Sequence, residues 1–441
     1  MTIQDKLNAQ IAQAEQHNPR LNALISIMAG PARSVAAALD AGDEPRGLLH
    51  GMTIAVKDNI DVVGTATTAG ASFRRDALPN SDAPVVERLR RAGAVIMGKA
   101  NMAELAFGIR SRSTVGGQCR NPWAEDRIPG GSSGGSGAAV AAGFCDAALG
   151  SDTGGSVRLP AAFCGVSGLR PTSGRVPNRG SVPVSAALDT IGPLARRVED
   201  VALIFAVTAG FDPADPYSVD QPLENFLPHL HDGIAGCRIG IPRNHYFNDC
   251  DPDVVTAVMA AAHTLEALGA ILVEVDVPEA ERVHAATSAA VFADACTIYG
   301  ERLKNAPETV DLDIRTRMLT GLNVTGMQYA EAMAFKRHWM HTLRGLFGGI
   351  DMLLSPTAPV GAPPIEDGAS LLNVTRDMTK NTYAGAFGAL PGLSVPCGLT
   401  SAGLPIGLQL EAAWWAESLL LRAGCAFQGR TDFHRARPSL A

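Results

Sequence analysis

Two stretches of the chain repeat one arrangement of apolar and polar positions. In APVVERLRRAGAVIMG apolar residues recur at helical spacing up to Gly93, and an uninterrupted apolar run follows. DPDVVTAVMAAAHTLEALGAILVEV does the same around Gly269, with Asp251 placed to cap the helix and Pro252 in its first turn, where a missing N–H is harmless. Both predict a helix, a glycine stop and a strand. Short apolar runs at 52–56, 352–354, 393–395 and 406–410 predict further strands, and TGMQYAEAMAFKRHWMHTLRGLF predicts a long helix. Helices and strands interspersed along the whole chain predict an α/β fold.

The Gly/Ser run at 130–137 has the composition of a flexible linker but passes directly into AAVAAG, a strong helix former. An ordered loop at a helix start is the better reading, with amides available to an anion or oxyanion. Segment 210–235, rich in proline and aspartate, predicts a surface connection.

With 441 residues, 46% of them hydrophobic and 18% charged, the chain can bury a large core. A net charge of −7 argues against a direct grip on phosphate backbones, so nucleic acid is not expected as a partner. The N-terminus lacks the basic start and apolar stretch of a signal peptide, and no apolar run reaches membrane-spanning length, which predicts a cytoplasmic protein without a membrane partner. Eight scattered cysteines contain no Cys-x-x-Cys pair and read as free thiols. His338 and His341 would share a helix face but lack a nearby carboxylate or a His-Glu-x-x-His spacing, so no metal site is expected.

Four motifs could carry chemistry. GMTIAVKDNID ends an alternating strand on Lys57, which is either a dehydrated lysine with a lowered pKa or a surface lysine paired with Asp58. GAVIMGKA nearly spells a phosphate-binding loop, but Ala100 stands where a magnesium-binding hydroxyl belongs; Lys99 remains a competitor for the role of base. RIPGGSSGGSG places Ser132 in a Gly-x-Ser-x-Gly pattern, which as an esterase elbow needs a histidine partner, and His229, His231 and His434 have no distinctive context. In LGSDTGGSVRLP the glycines Gly154 and Gly155 precede Ser156, and the amides of Thr153, Gly154, Gly155 and Ser156 could meet an oxyanion. The alternative there is a glycine turn held by an Asp152–Arg158 salt bridge.

AVKDNI, PGGSSGGSGAAVAAG and GSDTGGSVRLPAAFCGVSGLRPT, in that order, resemble the amidase signature family. The resemblance continues through GPLAR at 192–196, SPTAP at 355–359, LPGLSVPCG and GLPIGLQL. It implies one domain over 1–441, a mixed central sheet sandwiched between layers of helices. Core motifs would fall at 50–200, a variable substrate-pocket region at about 210–345 and a C-terminal core at 346–430. The family's Ser-cisSer-Lys triad falls on Ser156 as nucleophile, Ser132 as relay after a cis Gly131–Ser132 bond, and Lys57 as neutral base. Residues 153–156 would form the oxyanion hole, Ser133, Asp152 and Arg158 would support it, and Gly130, Gly131, Met102, Phe107 and Arg317 would line the substrate. No cofactor or metal is implied, and activity should rise from acid to mildly alkaline pH.

The implied activity is hydrolysis of C–N bonds in small amides through an acyl-enzyme, on a small-molecule substrate, in a chain that the resemblance allows to form a homodimer. GIAGCRIG, SGAAVAAG and AAWWAESLLLRAG are similar to segments of 1-carboxybiuret hydrolases and allied small-amide hydrolases, which brings ureas and carbamates into range. Two alternatives stand. One is the glutaminase component of an aminoacyl-tRNA amidotransferase: Arg317 resembles the arginine with which that component holds the glutamine carboxylate, while the place of its aspartate falls on Thr379. The other is an esterase using Ser132.

Overall fold

The computed structural model describes residues 1–42, 47–366 and 368–440. Its frame is a mixed sheet of eleven strands among the described residues. In chain order these are β1 (Leu24–Ile27), β2 (Thr53–Lys57), β3 (Val95–Ala100), β4 (Ala147–Ser151), β5 (Ser167–Arg170), β6 (Ile191–Ala195), β7 (Arg238–Pro242), β8 (Ile271–Val275), β9 (Met352–Pro356), β10 (Gly392–Leu399) and β11 (Pro405–Ala412). Their order across the sheet is β1-β3-β2-β4-β6-β5-β10-β11-β9-β7-β8. Both helix, glycine, strand units form where the pattern placed them. Pro84–Arg91 (α1) ends before Gly93 at φ +87°, and Pro252–Ala267, capped by Asp251, ends before Gly269 at φ +94°. A side chain at either φ would meet its own carbonyl, which is why glycine stands there.

β2 lies parallel to both β3 and β4, so these three strands end on the same edge of the sheet. Val56 pairs with Leu149 and with Lys99, while Lys57 pairs with Ala100. Adjacent paired residues share a face, so Lys99 leaves the sheet on the side of Val56, opposite to Lys57. β2 and β4 are buried along their whole length.

The glycine–serine run is packed, not flexible. Helix α2 begins inside it, at Gly134–Ala141. A Cβ on Gly131 would sit 2.8 Å from the carbonyl oxygen of Gly108, on Gly134 2.2 Å from Ser111 Oγ, and on Gly135 2.3 Å from the carbonyl of Asn101. Glycine is used here for close approach of backbone to backbone.

Helix α3 (Arg158–Cys164) follows β4 after a short turn, and the pocket side of the molecule is closed by α4 (Ala280–Asn305), α5 (Leu312–Leu319), α6 (Gly326–Gly349), α7 (Leu371–Met378) and α8 (Thr382–Phe387). Their apolar faces build a second core with Phe107, Phe292, Trp339 and Phe387, separate from the core under β4, β10 and β11. Segment 210–235 contains little beyond the short turn Leu227–His229. No helix among the described residues is long and apolar enough to cross a membrane.

Candidate active site

Lys57 ends β2 fully buried, and its Nζ lies 2.7 Å from Ser132 Oγ, 2.8 Å from Ser151 Oγ and 3.3 Å from the Ser151 carbonyl. Burial drives its pKa down to about 7, against the opposing pull of Asp189 and Asp152. The pairing with Asp58 considered for it belongs instead to Lys99, whose Nζ is 3.2 Å from Asp58 Oδ1 and which also bonds Ala66 and Thr67. The Lys99 ammonium is thus committed on the far face of the sheet, away from Ser132.

Ser132 follows a cis Gly131–Ser132 peptide bond. Its hydroxyl partner is a lysine; His229 and His231 are surface residues and His434 lies at the other end of the sheet, so the histidine an esterase elbow needs is not beside Ser132. Ser133 fastens this loop to the neighbouring strand. Its Oγ donates to the Ser151 carbonyl at 3.1 Å and accepts from the Ser151 amide at 3.2 Å, while its own amide donates to the Ser156 carbonyl at 3.2 Å.

Ser156 closes the turn between β4 and α3, with Asp152 at the centre of that turn. Asp152 accepts the amides of Gly155 at 2.6 Å and Val157 at 3.2 Å, and both Arg158 and Arg170 are ion-paired to it. Burial alone would raise its pKa, but the two guanidiniums overcome this and hold it well below the usual carboxylate range. The Gly155 amide is therefore spent on Asp152, which removes it from the four amides assigned to an oxyanion; those of Thr153, Gly154 and Ser156 donate to no acceptor among the described residues. Gly154 and Gly155 pack hard against α8: a Cβ would lie 2.3 Å from Tyr383 and from Thr382 Oγ1 respectively.

Ser156, Thr153 and Gly154 open on a narrow cavity whose other walls are Ala106 to Ile109, Val184, Val291, Arg317, Thr375, Thr379 and Tyr383. Phe107 and Arg317 thus meet at this cavity. Met102 does not; it is fully buried in the core beside it, because the chain turns inward between β3 and the lining segment. Gly130 and Gly131 stand behind the wall and shape the loop that carries Ser132.

Arg317 is 5% exposed and its guanidinium is stacked between Phe107 and Phe292, 4.3 and 4.9 Å from the ring centres. It forms no ion pair with a carboxylate among the described residues, and its Nε has no hydrogen-bond partner. Burial lowers its pKa, and Tyr383 offsets this in part. Thr379 donates its hydroxyl to the Thr375 carbonyl at 2.7 Å, and His284, stacked on Tyr383 at 4.8 Å, is held down to about 4 by burial and by Arg317. The cavity therefore contains one cation and no anion. A wider groove of about 920 Å³ at the other end of β2 and β4, past Met52 and Cys145, contains none of these groups.

Sequence reasoning passed over Ser151, Arg170, Asp189, Tyr383, Thr382 and Glu411. His338, expected to hold no metal, reaches Glu279 at 2.5 Å on the surface.

A wide mixed sheet with helices on both sides, carrying a buried lysine against a serine and an amide-rich turn, defines an amidohydrolase. The chain belongs to the amidase family, whose model, described as Amidase, matches residues 5–421. A glutamyl-tRNA(Gln) amidotransferase subunit from Syntrophobacter fumaroxidans is 36% identical across 99% of this chain and 96% of its own length. A chain from a vestigial protein complex that bears on the evolutionary origins of an s-triazine catabolic enzyme is 35% identical, with a TM-score of 0.93 over 100% of this chain and 97% of that one. Peptide amidase from Stenotrophomonas maltophilia is 30% identical, with a TM-score of 0.88 over 100% and 96%.

These relatives correct one expectation. A chain acting on a small molecule with no nucleic-acid connection does not fit curated relatives that are subunits of a glutamyl-tRNA(Gln) amidotransferase. Net charge limits what a chain's own surface can grip; it does not speak to what other subunits bring.

Proposed function

We propose that this enzyme hydrolyses the C–N bond of a small amide, urea or carbamate that carries a carboxylate. The reading rests on the 2.7 Å contact between the buried Lys57 and Ser132. With a pKa near 7 a large share of Lys57 is neutral at mildly alkaline pH, and the neutral amine takes the Ser132 proton as Ser132 takes that of Ser156. Ser156 then attacks the carbonyl carbon, and the amides of Thr153, Gly154 and Ser156 stabilise the oxyanion. Ser132 returns a proton to the departing nitrogen, and water, activated by the same pair, releases the acyl group.

Arg317 supports the acyl side of the proposal. A guanidinium buried without a counter-ion is costly, and a substrate carboxylate would both satisfy it and fix the reacting carbonyl over Ser156.

A second reading, the glutaminase component of an amidotransferase, is favoured by the names of the curated relatives. Arg317 suits a glutamine carboxylate too. The α-ammonium of glutamine, however, would find only uncharged acceptors such as the Thr379 hydroxyl oxygen and a neutral His284, with no carboxylate among the cavity walls. A hydrolysis screen of the purified protein decides between them. Glutamine, carboxylated ureas and amides, and their uncharged counterparts should be compared, with Ser156→Ala as blank. Turnover confined to carboxylated substrates other than glutamine is expected; glutamine as the preferred substrate would establish the second reading.

A further inference from the structure

Glu411 lies near the end of β11, 2% exposed, far in sequence from every motif of the site. Its Oε1 accepts from Arg158 Nη1 at 3.2 Å, and that same nitrogen donates to Gln409 Oε1 at 3.0 Å. The rest of the Arg158 fork holds Asp152, through Nε at 3.1 Å and Nη2 at 3.2 Å, and the Thr382 carbonyl at 2.9 Å. Asp152 in turn holds the Gly155 and Val157 amides and so sets the turn from which Thr153, Gly154 and Ser156 present theirs. A second route reaches the same turn. Helix α8 is laid directly on the Glu411 carboxylate, since a Cβ on Gly385 would fall 1.9 Å from Oε1, and Thr382 of that helix donates to the Gly154 carbonyl at 2.7 Å.

With Glu411 ionised, the charges in this buried group balance two against two. Arg158 and Arg170 are the cations; Asp152 and Glu411 are the anions. Without the charge on Glu411, two guanidiniums share the one carboxylate that shapes the oxyanion turn, and the pull on Asp152 becomes lopsided in a site of low dielectric.

We propose that Glu411 is a positioning residue for catalysis, acting through Arg158 and α8 to hold the oxyanion turn in register with Ser156. The proposal rests on the Ser156–Ser132–Lys57 reading. Glu411 touches neither substrate nor Ser156, so its loss weakens contacts made in the transition state and lowers kcat while KM holds.

The groups facing Glu411 are Arg158 from α3, Arg170 from β5, Asp152 from the turn after β4 and Tyr246 from the segment after β7. Burial raises Glu411 to about 7, with Asp152 adding to the rise and the two arginines opposing it. It therefore loses its charge over the pH range in which Lys57 becomes protonated. Below pH 7 the wild-type enzyme already resembles Glu411→Gln.

The test is kcat and KM of wild type and Glu411→Gln from pH 5.5 to 9, each normalised to active sites counted with a fluorophosphonate probe. The expected kcat ratio of wild type to variant is about tenfold at pH 8.5, shrinking toward one at pH 5.5, with KM unchanged. A ratio that is the same at every pH, or a kcat equal to wild type at pH 8.5, overturns the proposal. Failure of wild type to label at Ser156 would instead sink the triad reading, so the two failures are distinct.

Discussion

The floor of the site and the wall of its cavity are built on opposite terms. In the floor, Lys57, Ser132, Ser133, Ser151, Asp152, Arg158 and Arg170 are tied to one another by hydrogen bonds and ion pairs. In the wall, Arg317 lies between two phenyl rings with an unpartnered Nε and no carboxylate beside it. The charges of the floor are paired within the protein, Arg158 and Arg170 against Asp152 and Arg158 against Glu411, as groups that must not move during a reaction need to be. The wall leaves one strong group open, and a ligand of the right charge completes it. Reaction type and substrate preference are thus separable, and substitutions in the two regions should differ in kind.

The largest effect belongs to Ser156, the proposed nucleophile. Ser156→Ala should lower kcat by at least about 10⁴-fold, because the attacking atom is lost while the fold is untouched. Lys57→Ala should cost about 10²–10⁴-fold, in keeping with loss of a general base. Steady-state kinetics with a melting curve for each variant check both. If Lys57→Ala retained full activity, the lysine would be structural and the floor would need another base.

Arg158→Met comes next. It leaves Asp152 and Glu411 buried with one guanidinium between them, and removal of one partner from a buried ion network costs about 3–5 kcal/mol. The urea midpoint should fall accordingly, with activity reduced further than the loss of folded enzyme explains. A change below about 1 kcal/mol would mean that the floor is not a closed network.

How much of this contrast could be read from the chain follows from where its parts are encoded. The floor is mostly local: AVKD, GGSSGG and SDTGGSVR each fix a strand end, a packed loop or a turn, and their order carried the family resemblance from which Lys57, Ser132 and Ser156 were expected, while the α/β frame followed from helix, glycine, strand units. What escaped was non-local. Glu411 is a charge ending a buried apolar strand, PIGLQLEA, the same signal that drew attention to Lys57 in TIAVK, yet its partner lies 253 residues away. Ser151 precedes Asp152 in the best-read motif and was missed because its role depends on β2 and β4 ending side by side. Met102, expected in the pocket, lies in the core, and Gly155, expected as an oxyanion donor, gives its amide to Asp152. Periodicity reports which face a residue takes, and in turns it reports nothing about where an N–H points.

The third test follows Lys57 through pH. Its folded pKa, near 7, lies below the ordinary value of 10.5, so between these the unfolded chain binds the extra proton. Stability conferred by this site is therefore lowest at pH 7 and below and rises toward pH 10. Lys57→Met should be more stable than wild type at pH 6.5, with the advantage shrinking by on the order of 1 kcal/mol per pH unit above 7. Urea midpoints at pH 6.5, 8 and 9.5 measure it. A constant difference would indicate a lysine charged throughout, at odds with its role as base.

The smallest change, and the one that speaks most directly to the wall, is Arg317→Met. In the floor, removing an arginine destabilises; here the opposite sign is expected, because the variant loses a buried cation with no anion against it and keeps a side chain that packs between Phe107 and Phe292. The free enzyme should be no less stable, and up to about 1–3 kcal/mol more so. The same variant should raise KM for carboxylated substrates by about 10–100-fold, the worth of a charge-assisted hydrogen bond, and leave uncharged amides nearly unaffected. Unfolding midpoints and KM for a matched pair of charged and uncharged substrates give both numbers from one preparation. Loss of stability together with an equal KM change for the two substrates would show that Arg317 is structural, and the division between a closed floor and an open wall would fail at its one distinguishing residue.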